Sequence, residues 1–214
     1  MFAIRRFDIE GAPPAVTADV RATLQRFSGT NLLALNGAAL VRALDDLPTV
    51  VSAQYDRSFP HALRVRVVPE TPVAVVRRGA GAWLASARGR IMGATARRQY
   101  RSLPRIWLPV STELVIGDFL TGDAAASARA LRAFVDSRFA QRVLWARVAG
   151  RQLTLRLRSG LEVEFGPPSS LLLKIAIVRR VLATLALPAR GGPTYLDVSV
   201  PERPVAGRDP QVEG

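Results

Sequence analysis

The chain has 214 residues, of which 49% are hydrophobic and none is cysteine. This length and composition allow one ordinary domain or two small ones with packed cores, and they exclude disulfides and thiolate metal sites. The formal net charge of +13 favours anionic partners, but the basic residues are dispersed along the chain, which is typical of a solvated surface.

The first third of the chain predicts the order strand, helix, helix, strand, strand. An apolar stretch over Phe2–Ile9 is typical of a strand and ends before a Pro-Pro pair. A helix with Thr17 as its N-cap follows, and a second short helix is stopped by Pro48. Two strands are then predicted over 50–55 and 63–67.

Pro69 and Pro72 interrupt regular secondary structure, which predicts a domain boundary at this point. The fold class is therefore predicted as α+β, with a β-α-α-β-β module over 1–70 and a second domain over 71–205. The second domain is expected to have a mostly antiparallel sheet and two main helices, over 123–139 and 170–185. A disordered polar tail is expected over 206–214.

Alternation of apolar and polar residues sets the register of a hairpin in the second domain. A two-residue turn would mix the two faces, whereas a three-residue turn with Gly160 in a left-handed conformation keeps one face apolar. This register places Arg156 opposite Glu162 on the wet face, as an ion pair worth a few tenths of a kcal/mol. The predicted apolar pairs are Leu157 with Leu161, Leu155 with Val163, and Leu153 with Phe165.

Residues that could support catalysis are few. His61 is the only histidine, so a catalytic triad or a histidine metal site has almost no support. Asp45 and Asp46 are adjacent on a helix and point about 100° apart, so they do not face one substrate. No glycine-rich phosphate loop is present. The sequence therefore predicts no enzyme, no catalytic residue, no cofactor, no metal and no small-molecule substrate.

Nucleic acid and membrane insertion are also disfavoured. Trp107 and Trp145 lie near arginines but in apolar strand contexts, so charge alone supports nucleic-acid binding. The most apolar window, 171–187, is interrupted by Lys174, Arg179 and Arg180, which predicts a core helix of a soluble domain and not a membrane span. The first residues lack the apolar stretch of an export signal.

The order of these segments resembles the FtsQ/DivIB family of bacterial cell-division proteins. The first domain is similar to a POTRA module in Ile4–Gly11, in Leu47-Pro48-x-Val50 and in Phe59-Pro60-x-x-Leu63. The boundary pattern Pro69-Glu70-x-Pro72-Val73-Ala74 and the segment Tyr195–Pro204 resemble the family's junction and β domain. A separate short hairpin, predicted around Gly89 from Trp83–Ala85 and Arg90–Met92, carries Ser86, where the family commonly has an aspartate.

The resemblance implies a non-catalytic scaffold of the divisome. Family members are single-pass membrane proteins whose POTRA and β domains lie outside the cytoplasm. They bind FtsL and FtsB (or DivIC) and connect early division proteins to the septal peptidoglycan synthase. This chain lacks the cytoplasmic segment and the membrane helix, so a trimmed chain or a late start codon is expected. The net positive charge is compatible with contact between these domains and an anionic membrane surface.

The resemblance also implies where partners bind. Partner strands are expected to add to an exposed edge formed by the last strand, which consists of Tyr195, Leu196, Asp197, Val198, Ser199 and Val200. The alternative is that this strand is internal or covered by the tail. Ser199 and Val200 replace an arginine and a tyrosine that contact the partner in proteobacterial members. A second candidate edge lies in the POTRA module at Val51, Ala53, Tyr55 and Arg57.

Two rival functions remain at this stage. One is a basic nucleic-acid-binding protein, whose binding would weaken steeply with added salt. The other is a POTRA module of an outer-membrane assembly or secretion system, although such modules occur in tandem or before a barrel.

If the strand from Tyr195 to Val200 is the partner edge, Val198→Pro is expected to abolish binding of an FtsB-like protein while the domain stays folded. Proline removes one backbone donor from the ladder, so this outcome requires that the N–H of residue 198 points outward. Binding assays on a folded variant check it, and retained binding would contradict it.

Overall fold

The computed structural model describes residues 2–96, 99–137, 139 and 142–208. The chain divides into two compact units, Met1–Thr71 and Pro72–Gly214, and each has its own hydrophobic core. The fold is α+β with four α-helices in the described residues, as the sequence predicts. No helix among those residues is long and apolar enough to cross a bilayer.

The N-terminal unit is a three-stranded sheet with two helices. Its strand order is β1-β3-β2, with β1 parallel and β2 antiparallel to the central β3. The elements are β1 (Arg6–Glu10), α1 (Pro14–Leu24), a 3₁₀ turn (Gln25–Phe27), α2 (Gly37–Asp45), β2 (Val50–Ser58) and β3 (Ala62–Pro69).

Apolar residues at helical and strand spacing build the core of this unit. Helix α2 buries Leu40 and Leu44, which are four residues apart and therefore share one face. Strand β3 buries Leu63, Val65 and Val67, which alternate with exposed arginines. Each such side chain contributes about 1.5–3 kcal/mol when it leaves water.

The start of α1 differs from the prediction. The helix begins at Pro14 with Pro13 as its N-cap, and Thr17 lies within the first turn. The Thr17 hydroxyl donates to the Ala12 carbonyl at 3.1 Å and does not cap the helix. Proline suits the first helical position because its missing N–H has no partner there in any case.

The C-terminal unit is built on one nine-stranded sheet of order β12-β11-β10-β9-β8-β7-β4-β5-β6. Five of its eight neighbouring strand pairs are antiparallel. The strands are β4 (Pro72–Arg78), β5 (Gly81–Ser86), β6 (Ile91–Ala94), β7 (Arg105–Trp107), β8 (Val143–Ala149), β9 (Gln152–Leu157), β10 (Glu162–Gly166), β11 (Tyr195–Asp197) and β12 (Val205–Gly207). The helices are α3 (Gly122–Asp136) and α4 (Leu171–Leu182), with a 3₁₀ turn at Pro188–Arg190.

The two helices pack on the apolar face of this sheet. Phe134 of α3 meets Phe165 of β10 edge to face, with ring centroids 5.3 Å apart. Helix α3 ends at Asp136 and so falls short of the predicted end at 139. Phe139 nevertheless packs edge to face against Phe134 at 5.4 Å, which closes this end of the core.

The hairpin of β9 and β10 has the predicted register at the turn. Arg156 faces Glu162 and Leu155 faces Val163, while the Leu157 N–H donates to the Leu161 carbonyl at 2.9 Å. The last predicted pair is wrong, because Leu153 faces Gly166 and not Phe165. A bulge between Glu164 and Gly166 shifts the register by one residue, and Phe165 is still fully buried.

The predicted disordered tail is also corrected in part. Ala206 and Gly207 belong to β12, which pairs antiparallel with β11. Residues 209–214 of the predicted tail lie outside the described residues.

Leu155→Ala is expected to lower the free energy of unfolding of the C-terminal unit by about 2–5 kcal/mol. Leu155 is fully buried in the middle of β9, so the substitution leaves a cavity that its neighbours cannot fill. Leu172→Ala is the matched control, because that leucine is 65% exposed and should change the free energy by less than about 0.5 kcal/mol. Urea denaturation of both variants checks the contrast, and equal losses would contradict it.

Candidate partner-binding edges

The predicted partner strand does not lie at the edge of the sheet. Residues Tyr195–Asp197 form β11, which pairs with β10 on one side and with β12 on the other. The prediction of an edge over Tyr195–Val200 is therefore wrong. The physical reason is that the chain turns after Val200 and folds back, so that Val205–Gly207 occupies the open side of β11.

The residues after β11 are held by contacts within the sheet. Val198 is fully buried, and its N–H donates to the Glu164 carbonyl at 2.8 Å. The Ser199 N–H donates to the Asp197 carboxylate at 2.7 Å, which begins the turn. Because the N–H of Val198 points toward β10, proline at this position would break an internal bond. It would test folding and not binding.

The edge on this side of the sheet is β12. Val205 and Ala206 are exposed, and β12 carries neither proline nor charge. The ring of Tyr195 lies over Gly207, where a Cβ atom would come within 2.6 Å of the tyrosine hydroxyl. The Gly207 carbonyl accepts from the Thr194 N–H at 2.8 Å, and Arg208 Nε donates to the Gly192 carbonyl at 3.1 Å. The strand is thus fixed to β11, and no other strand among the described residues pairs with its outer side.

The opposite edge of the sheet, β6, is partly covered. The Ile91 N–H donates to the Asp118 carbonyl and the Ile91 carbonyl accepts from the Gly117 N–H, both at 2.8 Å. The Leu120 N–H donates to the Gly89 carbonyl at the same distance. The segment 117–120 therefore takes the place of a further strand beside the start of β6.

The second predicted edge, in the N-terminal unit, does lie at an edge, because β2 is one of the two outer strands of its sheet. Its backbone and side chains are partly engaged by the neighbouring helix and the connector before it. The Ala53 N–H donates to the Asp45 carboxylate at 3.1 Å, and Arg57 Nη2 donates to the Leu35 carbonyl at 3.3 Å. Tyr55 packs against Gly37 at the start of α2. An added strand would have to displace or bypass these contacts.

Polar side chains that could have supported catalysis make structural contacts. His61 Nδ1 lies 3.0 Å from the Ala3 carbonyl and so ties β3 to the N-terminal segment. The predicted pair of Arg156 and Glu162 is confirmed, with Nη1 and Oε2 3.1 Å apart on the wet face of the hairpin. Among the described residues no group of three acidic or histidine side chains could hold a metal ion.

Lys174 is buried inside the C-terminal unit, although a lysine is rarely found there. Its ammonium donates to the Phe165 carbonyl at 2.7 Å and to the Pro167 carbonyl at 2.9 Å. These carbonyls lie in the bulged end of β10 and the loop after it, so they lack regular ladder partners. Lys174 therefore fixes α4 to β10. Because β10 pairs with β11 and β11 pairs with β12, this contact also supports the β12 edge.

Residues 2–68 match a family model described as "POTRA domain, FtsQ-type". This range covers every element from β1 to β3 except the last residue of β3, so the N-terminal unit is a POTRA domain. The domain is of the FtsQ type, which supports the resemblance of the chain to FtsQ/DivIB proteins. No curated protein matches the chain. The match implies an extracytoplasmic domain of a membrane protein and suggests a scaffold role in cell division.

Lys174→Met is expected to lower the free energy of unfolding by about 1–3 kcal/mol, because it keeps the apolar stem and leaves two carbonyls unsatisfied. Arg180→Met on the exposed side of the same helix is the control and should change stability little. Chemical denaturation measures both variants, and hydrogen exchange at β11 should accelerate only in the first. Equal stabilities would show that Lys174 does not fasten the helix.

Proposed function

We propose that this chain is a non-catalytic, extracytoplasmic scaffold of the bacterial divisome. It binds partners of the FtsB/DivIC and FtsL type by strand addition and links early division proteins to septal peptidoglycan synthesis. The observation that carries this proposal is the open β12 edge in a chain whose first unit is an FtsQ-type POTRA domain. Residues 71–205 are then the β domain of the FtsQ/DivIB type, extended by the rest of β12.

Backbone geometry supports β12 as the docking strand. An extended partner segment could pair with the outward N–H and C=O groups of Val205–Gly207 and continue the sheet as a tenth strand. Each added hydrogen bond contributes about 0.5–1.5 kcal/mol net, so a three-residue strand gives only weak affinity by itself. Side-chain contacts must supply the rest of the binding free energy.

The surface around β12 offers two kinds of side-chain contact. Val200 and Val205 are 52% and 51% exposed, so a partner can bury both valines beside the new strand. Arg203 and Arg208 flank β12 in the sequence, and both are exposed. Acidic side chains in the partner segment would complement these arginines and speed its association. In this proposal the segment Tyr195–Val200 is not itself the docking strand. It supports β12 by pairing with it, and its exposed end at Val200 can contact the partner.

Proline substitutions in β12, and not at Val198, test this proposal. Neighbouring residues of a strand point their N–H groups to opposite sides, so one of Val205→Pro and Ala206→Pro removes an outward donor and the other removes a donor to β11. The outward variant is expected to bind the FtsB- or DivIC-type protein of the same genome at least tenfold more weakly while its unfolding midpoint is unchanged. The inward variant is expected to lose stability.

Calorimetry at several salt concentrations and urea denaturation measure the two effects. Binding by strand addition should depend modestly on salt, whereas binding to a polyanion through +13 would fall steeply. If both proline variants fold and bind like the unchanged protein, β12 is not the docking strand. Alanine in place of Arg203 is a side-chain control that leaves the backbone donors intact.

A further inference from the structure

One end of the POTRA domain, where β1 and β3 begin and β2 ends, exposes large apolar side chains. Phe2, Leu33 and Phe59 are 38%, 65% and 52% exposed. The core of the same unit buries apolar side chains from both helices and all three strands, so these three residues are left outside it. We call Phe2, Leu33 and Phe59 the apolar tip.

The three residues of the apolar tip come from separate segments that meet. The rings of Phe2 and Phe59 pack edge to face, with centroids 5.2 Å apart. The Leu32 N–H donates to the Phe2 carbonyl at 2.8 Å, which brings the backbone of Leu33 beside Phe2. Leu32 is fully buried and Leu33 is exposed, so the apolar tip is one surface feature and not three scattered side chains.

Hydrogen bonds fix the segment before β1 in place. The Ile4 N–H donates to the Thr30 carbonyl and the Arg5 N–H donates to the His61 carbonyl, both at 2.9 Å. His61 Nδ1 lies 3.0 Å from the Ala3 carbonyl. The apolar tip is therefore formed by the fold itself, which reduces the entropy lost when it binds.

Positive charge surrounds the apolar tip. The segments 2–6, 26–33 and 57–61, which meet here, carry four arginines and no aspartate or glutamate. Arg6 pairs with Asp8 at 3.1 Å. In the described part of the chain, no ion pair joins the other three, Arg5, Arg26 and Arg57, to a carboxylate, and all three are exposed.

The nearest carboxylates along the chain do not offset this charge. Asp8 and Asp56 both lie beside Arg64 in the register of the sheet, and Arg64 also pairs with Glu10 at 3.6 Å. The open face of the sheet thus has acidic partners for its arginines, whereas the end that carries the apolar tip has none for Arg5. The positive charge is therefore concentrated at this end of the unit.

We propose that the apolar tip inserts into the headgroup region of an anionic phospholipid bilayer. Phe2, Leu33 and Phe59 leave water for the boundary with the acyl chains, while the three arginines around them remain at the depth of the phosphates. Apolar burial and attraction to anionic headgroups then act together. Arginines come from all three segments around the tip, and a bilayer surface offers phosphates on every side of an inserted side chain.

The FtsQ-type match is consistent with this ligand, because it implies an extracytoplasmic domain of a membrane protein. The inference rests on that location and not on partner binding at β12. Lipid binding and strand addition use different surfaces, so either can fail in experiment without the other.

The test is flotation of the whole chain with vesicles of phosphatidylcholine alone or mixed with an equal part of phosphatidylglycerol. The unchanged protein is expected to bind the anionic vesicles and to bind the neutral ones at least fivefold more weakly. The variant Phe2→Ser, Leu33→Ser, Phe59→Ser should bind anionic vesicles at least tenfold more weakly. Circular dichroism verifies that this variant is folded.

The matched control is Val68→Ser, Val110→Ser, Leu172→Ser, which removes three apolar side chains that are 54%, 78% and 65% exposed elsewhere on the chain. Its vesicle binding should stay within about twofold of the unchanged protein.

A second pair of variants tests the arginines at constant net charge. Arg5→Ser, Arg26→Ser changes the surroundings of the apolar tip, and Arg129→Ser, Arg180→Ser removes the same charge from exposed positions on α3 and α4. The first double variant should bind anionic vesicles at least threefold more weakly than the second. This pair leaves the apolar tip intact, so it tests the proposal even if the serine variant does not fold.

Three outcomes would overturn the proposal. The first is that anionic vesicles do not bind the unchanged chain or bind it no better than neutral ones. The second is that each variant of the apolar tip or its arginines binds as its control does, which would assign binding to the dispersed charge. The third is that sedimentation shows self-association that the triple serine variant abolishes, without vesicle binding, which would assign the tip to a second copy of the chain.

Discussion

Backbone groups that strand pairing leaves open need hydrogen-bond partners, and this constraint organises both units of the protein. In the POTRA domain, the Asp45 carboxylate accepts from the Ala53 N–H on the open side of β2. In the second unit, the segment 117–120 pairs with the start of β6, and the Ser127 hydroxyl accepts from Val148 where the ladder between β7 and β8 stops. Each device satisfies a donor that would otherwise be available to another chain.

Strand β12 differs from these protected edges. It is three residues long and is fastened on one side by β11, by the Tyr195 ring over Gly207 and by the anchoring of Arg208. Among the described residues no strand pairs with its outer side, and the strand itself carries neither proline nor charge. This contrast with the protected edges supports β12 as the strand to which a partner strand adds. Lys174 contributes indirectly, because it anchors α4 to β10, on which β11 and β12 depend.

The arginines that dominate the charge have identifiable intramolecular contacts. Arg78 stacks over Trp83 at 5.1 Å and donates to Thr112, while Arg77 lies 5.7 Å from the centre of the Trp107 ring. Such contacts use the planar guanidinium both as a cation and as a stacking surface, which lysine cannot do as well. Part of the net charge of +13 therefore stabilises the loop over 108–121.

Short-range patterns in the sequence are sufficient to predict some features of the fold. Period-two alternation and Gly160 gave the register of the β9–β10 hairpin at its turn, and spacing by four gave the buried pair Leu40 and Leu44. Which strand ends the sheet depends on long-range pairing, because Val205–Gly207 is too short to show a period and its pairing with β11 crosses a seven-residue turn. The same holds for the bulge at Phe165 and for the hydrogen bond from the Ala53 N–H to the Asp45 carboxylate. Each is fixed by contacts between residues that are distant in sequence or by packing around them, and no local propensity encodes such a choice.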